Sequence, residues 1–171
     1  MPDPLTTDLV VLGGGPGGDA DAFLAPDRGL KTTVIDPAPK PRGTCLHVGC
    51  IPSKTLLHVA QVIHLARHAA EFGLHYEPPR IDLDALRARG RKIVDTMASS
   101  LQKGCKDRGI RHLVGHGRFL DRQAIQVVLQ DGEECTVRFQ HCIIAVGSTP
   151  AMPAMFDLKS PRVMDSTAAL A

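Results

Sequence analysis

Leu9-Val10-Val11-Leu12-Gly13-Gly14-Gly15-Pro16-Gly17-Gly18 decides how this chain folds. The four apolar residues read as a short strand buried on both faces. The glycines spell Gly13-x-Gly15-x-x-Gly18, and a helix-length segment follows as far as Arg28-Gly29. Lys31 to Ile35 reads as a second strand, closed by Asp36. Strand, glycine turn, helix and strand in about 30 residues make a βαβ unit.

Each glycine of such a unit has its own task. Gly13 permits the tight turn, Gly15 lets the backbone approach a pyrophosphate, and Gly18 lets the helix pack closely on the strand. The helix start points unpaired N–H groups at phosphates. Asp36, at the end of the second strand, is placed to accept hydrogen bonds from an adenosine ribose. The plainer alternative is a glycine-rich turn of any α/β protein. The register of strand, helix and acid favours a dinucleotide, and the motif leaves FAD and NAD equally open.

Outward from this unit, residues 37–42 form a loop with prolines at 37, 39 and 41. From Cys50 to about Glu71, Leu56, Leu57, Val59, Ala60, Ile63 and Ala66 recur at helical spacing, with Gly73 placed as a C-cap. Beyond Pro78-Pro79 a second amphipathic helix carries Ile81, Leu83, Leu86, Ile93, Val94, Met97 and Leu101, with Asp82 or Asp84 as its cap. Ala124–Leu129, the turn at Asp131-Gly132, and Thr136–Phe139 read as a hairpin. Cys142 to Val146 reads as another buried strand, ending at Gly147-Ser148. Residues 1–150 are thus expected to form one domain, and 151–171 the start of a linker toward a further domain.

Composition bounds the function. The 171 residues hold 20 Lys+Arg against 18 Asp+Glu, a net charge of +2, with 43% hydrophobic and 22% charged residues. This is the profile of a globular chain, without the concentrated basic surface that nucleic acid requires. Aromatic residues make up only 4%, with no Trp and one Tyr, which weakens a stacking-based nucleic-acid reading further. No apolar run approaches the roughly 20 residues of a membrane span. The N-terminus reads as strand rather than signal peptide, so five cysteines are expected to be reduced thiols in the cytoplasm, and any disulfide to be catalytic.

Two of those thiols lie in Gly43-Thr44-Cys45-Leu46-His47-Val48-Gly49-Cys50-Ile51-Pro52-Ser53-Lys54. Their spacing is wider than the common Cys-x-x-Cys of redox or zinc sites. A helix starting near Cys50 would place that thiol where the dipole favours the thiolate, and Lys54 would add positive charge nearby. By spacing alone, two unrelated thiols remain an even alternative.

The segment as a whole resembles the active-site stretch of the FAD-dependent pyridine nucleotide–disulfide oxidoreductases. Its wording, followed by Leu56-Leu57-His58, is nearest to the dihydrolipoyl dehydrogenases, with the mercuric and glutathione reductases sharing the two-cysteine frame. The similarity extends to the glycine turn, to Gly115-His116-Gly117-Arg118-Phe119, to Ala145-Val146-Gly147-Ser148-Thr149-Pro150, and to Pro161–Thr167. It implies a Rossmann-like α/β FAD-binding domain with a parallel sheet, a helical excursion after the redox cysteines and an inserted β-meander. It implies that Gly13, Gly15, Pro16 and Gly18 bind the FAD pyrophosphate and Asp36 its ribose. Gly43, Thr44 and Cys45 would lie along the cofactor, Lys54 beside the flavin, Gly117 at the adenine end, and Gly147 and Ser148 over it.

The same resemblance makes Cys45 and Cys50 a redox disulfide, Cys45 exchanging with a dihydrolipoyl dithiol and Cys50 lying against the flavin, with NAD⁺ as the final acceptor. It further implies a homodimer and, as partner, the lipoyl domain of a 2-oxoacid dehydrogenase or glycine cleavage complex. The NAD-binding and interface domains of that family have no counterpart here, so the 171 residues are not expected to complete the reaction alone. A bacterial cytoplasm or a mitochondrial matrix would both suit. A non-catalytic flavin-binding fragment is the reading from another class.

The chain departs from the family at Asp19 and Asp21 in the phosphate-binding helix, at Pro26 where that helix should end or kink, at Arg42, and at His47 in place of the usual Asn. These bear on cofactor affinity more than on fold. His64 and His68, four apart with Glu71 following, could be read as a zinc site, but a solvated helix face is favoured, and no metal is expected. Cys142 is read as core. Arg87–Lys92 is read as one exposed helix face.

Overall fold

The computed structural model describes residues 4–39 and 43–170. The described residues fall into two compact units. One is built from Met1–Cys45 and Ala98–Ala151, the other from Leu46–Met97 and Met152–Ala171.

The first unit is a mixed sheet with helices. Strands β1 (Leu5–Leu12), β2 (Thr32–Asp36), β3 (Arg111–Asp121), β4 (Ala124–Leu129) and β5 (Glu134–Ile144) follow in chain order. β1 lies between β2 and β5, parallel to both, and β2 pairs parallel with β3. β4 then runs antiparallel between β3 and β5, so neighbour-to-neighbour pairing closes on itself. The two 11-residue strands make this closure possible. β3 pairs with β2 through residues 111–114 and with β4 through 115–121. β5 pairs with β4 through residues 134–138 and with β1 through residues 137–144.

The sequence anticipates the βαβ unit and the hairpin, but two strand boundaries move. β1 begins at Leu5 rather than Leu9, because Leu5, Thr6 and Thr7 find register partners in Val137, Arg138 and Phe139. Thr7 is buried there only because its hydroxyl donates to the carbonyls of Lys31, at 2.7 Å, and Leu9. At the other end, Thr136–Phe139 and Cys142–Val146 are not two strands. One strand runs unbroken from Glu134 to Ile144, and Ile144 and Val146 are exposed rather than buried. Beyond Arg138 this strand has only β1 as a partner, so it is an edge there.

Val10, Leu12, Ile35, Ile125, Val127, Val137 and Phe139 form the core enclosed by the strands. Leu9, Val11, Val34 and Ile110 face the other way, onto Ala22 and Ala25 of helix α1 (Pro16–Asp27). Alternate residues of β1 therefore serve two cores, which is why Leu9, Val10, Val11 and Leu12 are apolar without a break. Ile125 is fully buried. Ile125→Ala is expected to lower unfolding stability by about 2–5 kcal/mol in urea titration, through lost transfer energy plus the cavity left behind.

Helix α2 (Gly43–Val48), a short helix that the sequence pattern does not signal, carries Cys45. α3 (Cys50–His68) is followed by a 3₁₀ turn and by Gly73 at φ 80°, the left-handed C-cap that the spacing predicts. α4 (Leu83–Asp107) is capped by Asp82, whose carboxylate accepts from the Ala85 N–H at 2.9 Å. The periodicity identifies both long helices, yet no residue of α3 is fully buried, and Leu57 and Leu65 are exposed. α5 (Ser166–Ala169) is a single turn capped by Asp165. No helix among the described residues is long and apolar enough to cross a membrane.

Candidate cofactor site and cysteine segment

The glycine turn sits where β1 gives way to α1. Gly13 has φ +95°, and a Cβ there would collide with the carbonyl of Ala145. Only glycine satisfies both conditions. A Cβ at Gly18 would strike the Gly13 carbonyl and stand 2.7 Å from Val11 Cγ1, so the helix can seat on its strand only without a side chain at 18. Gly15 is different. Its φ of −76° suits any residue, and nothing lies within 4 Å of where its Cβ would be. The space over Gly15 is the cradle a pyrophosphate would fill.

The start of α1 supports that fit. Pro16 occupies the first turn, and no side chain caps the N-terminus. The Gly18 and Asp19 N–H groups donate to the Gly15 carbonyl at 3.0 and 2.9 Å, so no side chain stands between the helix start and an anion approaching it. Asp19 stands in this first turn, where its charge suits the helix dipole. Pro26 does not break the helix, which closes one residue later at Asp27 with Arg28 as C-cap.

Asp36 fixes the turn from the side. It is buried, its Oδ2 accepts from the Gly14 N–H at 2.6 Å, and its Oδ1 from the Ala38 N–H at 2.7 Å. Each carboxylate oxygen keeps a second lone pair for a ligand hydroxyl. Gly43, at φ +52°, closes on the same turn, since a Cβ there would be 3.1 Å from Gly15 Cα. Lys40, Pro41 and Arg42, including the Arg42 departure, lie outside the described residues. Ala145, whose carbonyl backs Gly13 and whose N–H donates to the Leu12 carbonyl at 2.7 Å, belongs to this site without having been singled out by the motif. A small residue two positions before Gly147 is the available signal. Gly147 itself has φ +70°, and Ser148 is exposed beside it.

Gly117 has a packing reason as well. A Cβ there would press on Leu12 Cδ2 at 3.0 Å and Ile125 Cγ2 at 3.1 Å, so its side-chain direction is filled by the core while its backbone remains exposed. In the first unit, then, the fold brings together Gly13, Gly15, Gly18, Asp36 and Gly43.

The two cysteines of the redox segment are each half-buried. Cys45 lies in α2, and Cys50 is the first residue of α3, preceded by Gly49. Pro52 falls in the first helical turn, where a missing N–H costs nothing, and the Ser53 hydroxyl donates to the Cys50 carbonyl at 3.1 Å. Thr44 and Lys54 are exposed. His47 Nε2 is buried without a hydrogen-bond partner among the described residues.

Cys135 and Cys142 pack against the strand core, and burial pushes both thiols upward in pKa, partly offset for Cys135 by the charge of Arg111. They are accordingly poor nucleophiles. Among the described residues no three His, Cys, Asp or Glu side chains could hold a metal ion together. His64 and His68 stack with centroids 4.0 Å apart, and His68 Nδ1 contacts the His64 carbonyl.

His112 is an unforeseen buried group. Its Nε2 has no partner among the described residues, and burial lowers its pKa more than the nearby Asp36 charge raises it. A histidine held neutral in the fold but free to protonate when unfolded takes up fewer protons in the native state. Stability should therefore be complete above the ordinary histidine pKa of about 6.5 and fall as pH drops below it. Urea midpoints at pH 7.5 and pH 5 should differ less for His112→Phe than for the parent, and an unchanged difference would remove His112 from the account.

The chain matches the pyridine nucleotide-disulphide oxidoreductases over residues 7–171, nearly its whole length. It belongs to that family. A dihydrolipoyl dehydrogenase of Haemophilus influenzae is 40% identical over 170 residues, covering 99% of this chain and 36% of the relative. One from Vibrio cholerae is 38% identical over 172 residues, again 99% of this chain and 36% of the relative. A leghemoglobin reductase of Vigna unguiculata is 36% identical over 165 residues, 96% of this chain and 32% of the relative. The chain thus spans about a third of the length of these relatives.

Proposed function

We propose that this chain is the FAD-binding part of a dihydrolipoyl dehydrogenase, with Cys45 and Cys50 as its redox pair. The observation that carries the reading is the open cradle over Gly15, bounded by glycines at 13 and 18 that tolerate no side chain. Beside it stands an uncapped helix start, and the cysteine segment begins against the same turn at Gly43.

In this reading the α1 N–H groups and Gly15 hold the pyrophosphate, and Asp36 uses its remaining lone pairs for the ribose hydroxyls. Thr44, Lys54, Gly117, Gly147 and Ser148 line the rest of the cofactor. A thiolate of the dihydrolipoyl dithiol attacks Cys45 of the oxidised pair, and the Cys50 sulfur leaves with the electron pair of the broken S–S bond. The second substrate thiolate then attacks the mixed disulfide, releasing the lipoyl disulfide and leaving two reduced cysteines, so that electrons and sulfurs balance. Bound FAD supplies the two-electron acceptor that passes reducing equivalents on to NAD⁺. Cys50 is the first residue of α3, preceded by Gly49.

The remaining elements of the reading are a linker from residue 151 toward an NAD-binding domain, a homodimer of the longer protein, and a lipoyl domain as partner. A cytoplasmic location, or the matrix as in the relatives named mitochondrial, goes with it. A mercuric or glutathione-type disulfide reductase is the nearest alternative in chemistry. Mixing the chain with FAD and following quenching of flavin fluorescence tests the cofactor. Saturable binding of one FAD per chain is expected, and no binding at any FAD concentration would contradict the reading.

A further inference from the structure

We infer that the last turn of α3 carries a binding site for a divalent cation that prefers imidazole ligands, held by His64 and His68. Spacing alone leaves the two as part of a solvated helix face. Residues four apart on a helix stand one above the other on that face. Here the two rings lie with centroids 4.0 Å apart, tilted by 38°. Nitrogens at adjacent positions around one ion are about 3 Å apart, given metal–nitrogen bonds of about 2.0–2.1 Å. Both side chains are exposed, so rotating them can bring a nitrogen of each into that span without moving the backbone.

The tautomer is also set. His68 Nδ1 stands 3.0 Å from the His64 carbonyl, which can only accept, so Nδ1 carries the proton and Nε2 keeps its lone pair. A ring N–H tied to a backbone carbonyl is the support that metal-binding histidines use. The His64 ring makes no hydrogen bond among the described residues and has none to give up on binding an ion.

Electrostatics near the pair tolerate a cation. α3 closes directly after His68, where the Ala69 N–H donates to the Leu65 carbonyl, and the end of a helix favours positive charge. Within residues 61–71, Arg67 opposes an ion, while Glu71, seven residues beyond His64 and so on the same face, offsets it. No third His, Cys, Asp or Glu among the described residues joins the pair, so water completes the coordination and the ion is exchangeable. Two imidazoles with water suit Ni²⁺, Cu²⁺ or Zn²⁺ rather than Mg²⁺ or Ca²⁺.

Ni²⁺, which leaves thiols unoxidised, titrated into the full chain at neutral pH tests the site, with ¹H–¹⁵N spectra recording paramagnetic broadening residue by residue. Saturable broadening centred on residues 64–68 is expected, and Mg²⁺ at the same concentration should leave those signals untouched. His64→Ala and His68→Ala should each weaken binding there about tenfold, or about 1.4 kcal/mol. His58→Ala, on the same helix, should keep the parent's affinity. All three side chains are exposed and alanine is the best helix former, so far-ultraviolet dichroism should not fall. Broadening confined to residues 45–50, no broadening at 64–68, or equal affinity in the parent and both pair variants would overturn the inference. The readout needs neither flavin nor thiol, so its failure would not touch the cofactor reading.

Discussion

Gly15→Ala should weaken FAD binding about 100-fold or more while leaving the fold intact. The backbone at Gly15 accommodates alanine, and the added methyl meets nothing in the protein, so unfolding stability should hold or rise by up to about 1 kcal/mol. The same methyl occupies the space a pyrophosphate would take. Gly18→Ala should behave in the opposite way. Its methyl meets the Gly13 carbonyl and Val11 Cγ1, pushing α1 off β1 at about 1–3 kcal/mol, the usual cost of overpacking. Gly13→Ala adds a left-handed backbone to its collision with Ala145 and should be worse still. Urea denaturation and flavin fluorescence on the same three variants separate the two effects. Equal losses of stability at 15 and 18 would mean that the turn is only structural.

The second large effect is expected at the cysteines. Cys45→Ser and Cys50→Ser should each bring reduction of the FAD-loaded chain by a dithiol down to background, about a thousandfold or more, because serine cannot form or break an S–S bond. Cys135→Ser and Cys142→Ser should leave the reaction near parent rates, since burial keeps those thiols protonated. Stopped-flow absorbance under anaerobic conditions measures all four. Loss of reduction in the Cys142 variant but not in the Cys50 variant would move the redox pair elsewhere.

Much of the fold and the site is legible in the order of the residues alone. The run from Leu9 to Gly18 names a strand, a turn and a helix start in order, and Gly13 and Gly18 stand at the close backbone approaches that the pattern suggests. The wording around Cys45 and Cys50 points to the chemistry. The features that escape such a reading depend on distant partners. Leu5–Thr7 look too polar for a strand until β5 supplies their register. Ala145 lies far beyond Gly13 in the chain, yet its carbonyl decides that position. Leu56 and Leu57 carry a helical period without burying themselves, because periodicity reports the helix and not what covers it. Asp36 is legible as the acid that closes the second strand, whereas its bonds to Gly14 and Ala38 arise only once the turn is folded.

The proposed electron path runs from the cysteine pair to a flavin held at the glycine turn. It is tested most directly by loading the chain with FAD and adding one equivalent of dihydrolipoamide without oxygen while recording the visible spectrum. The account predicts that the flavin spectrum gains long-wavelength absorbance and that alkylation then labels Cys45 and Cys50. A flavin spectrum that stays unchanged while the dithiol is consumed, or while both cysteines become labelled, would contradict it.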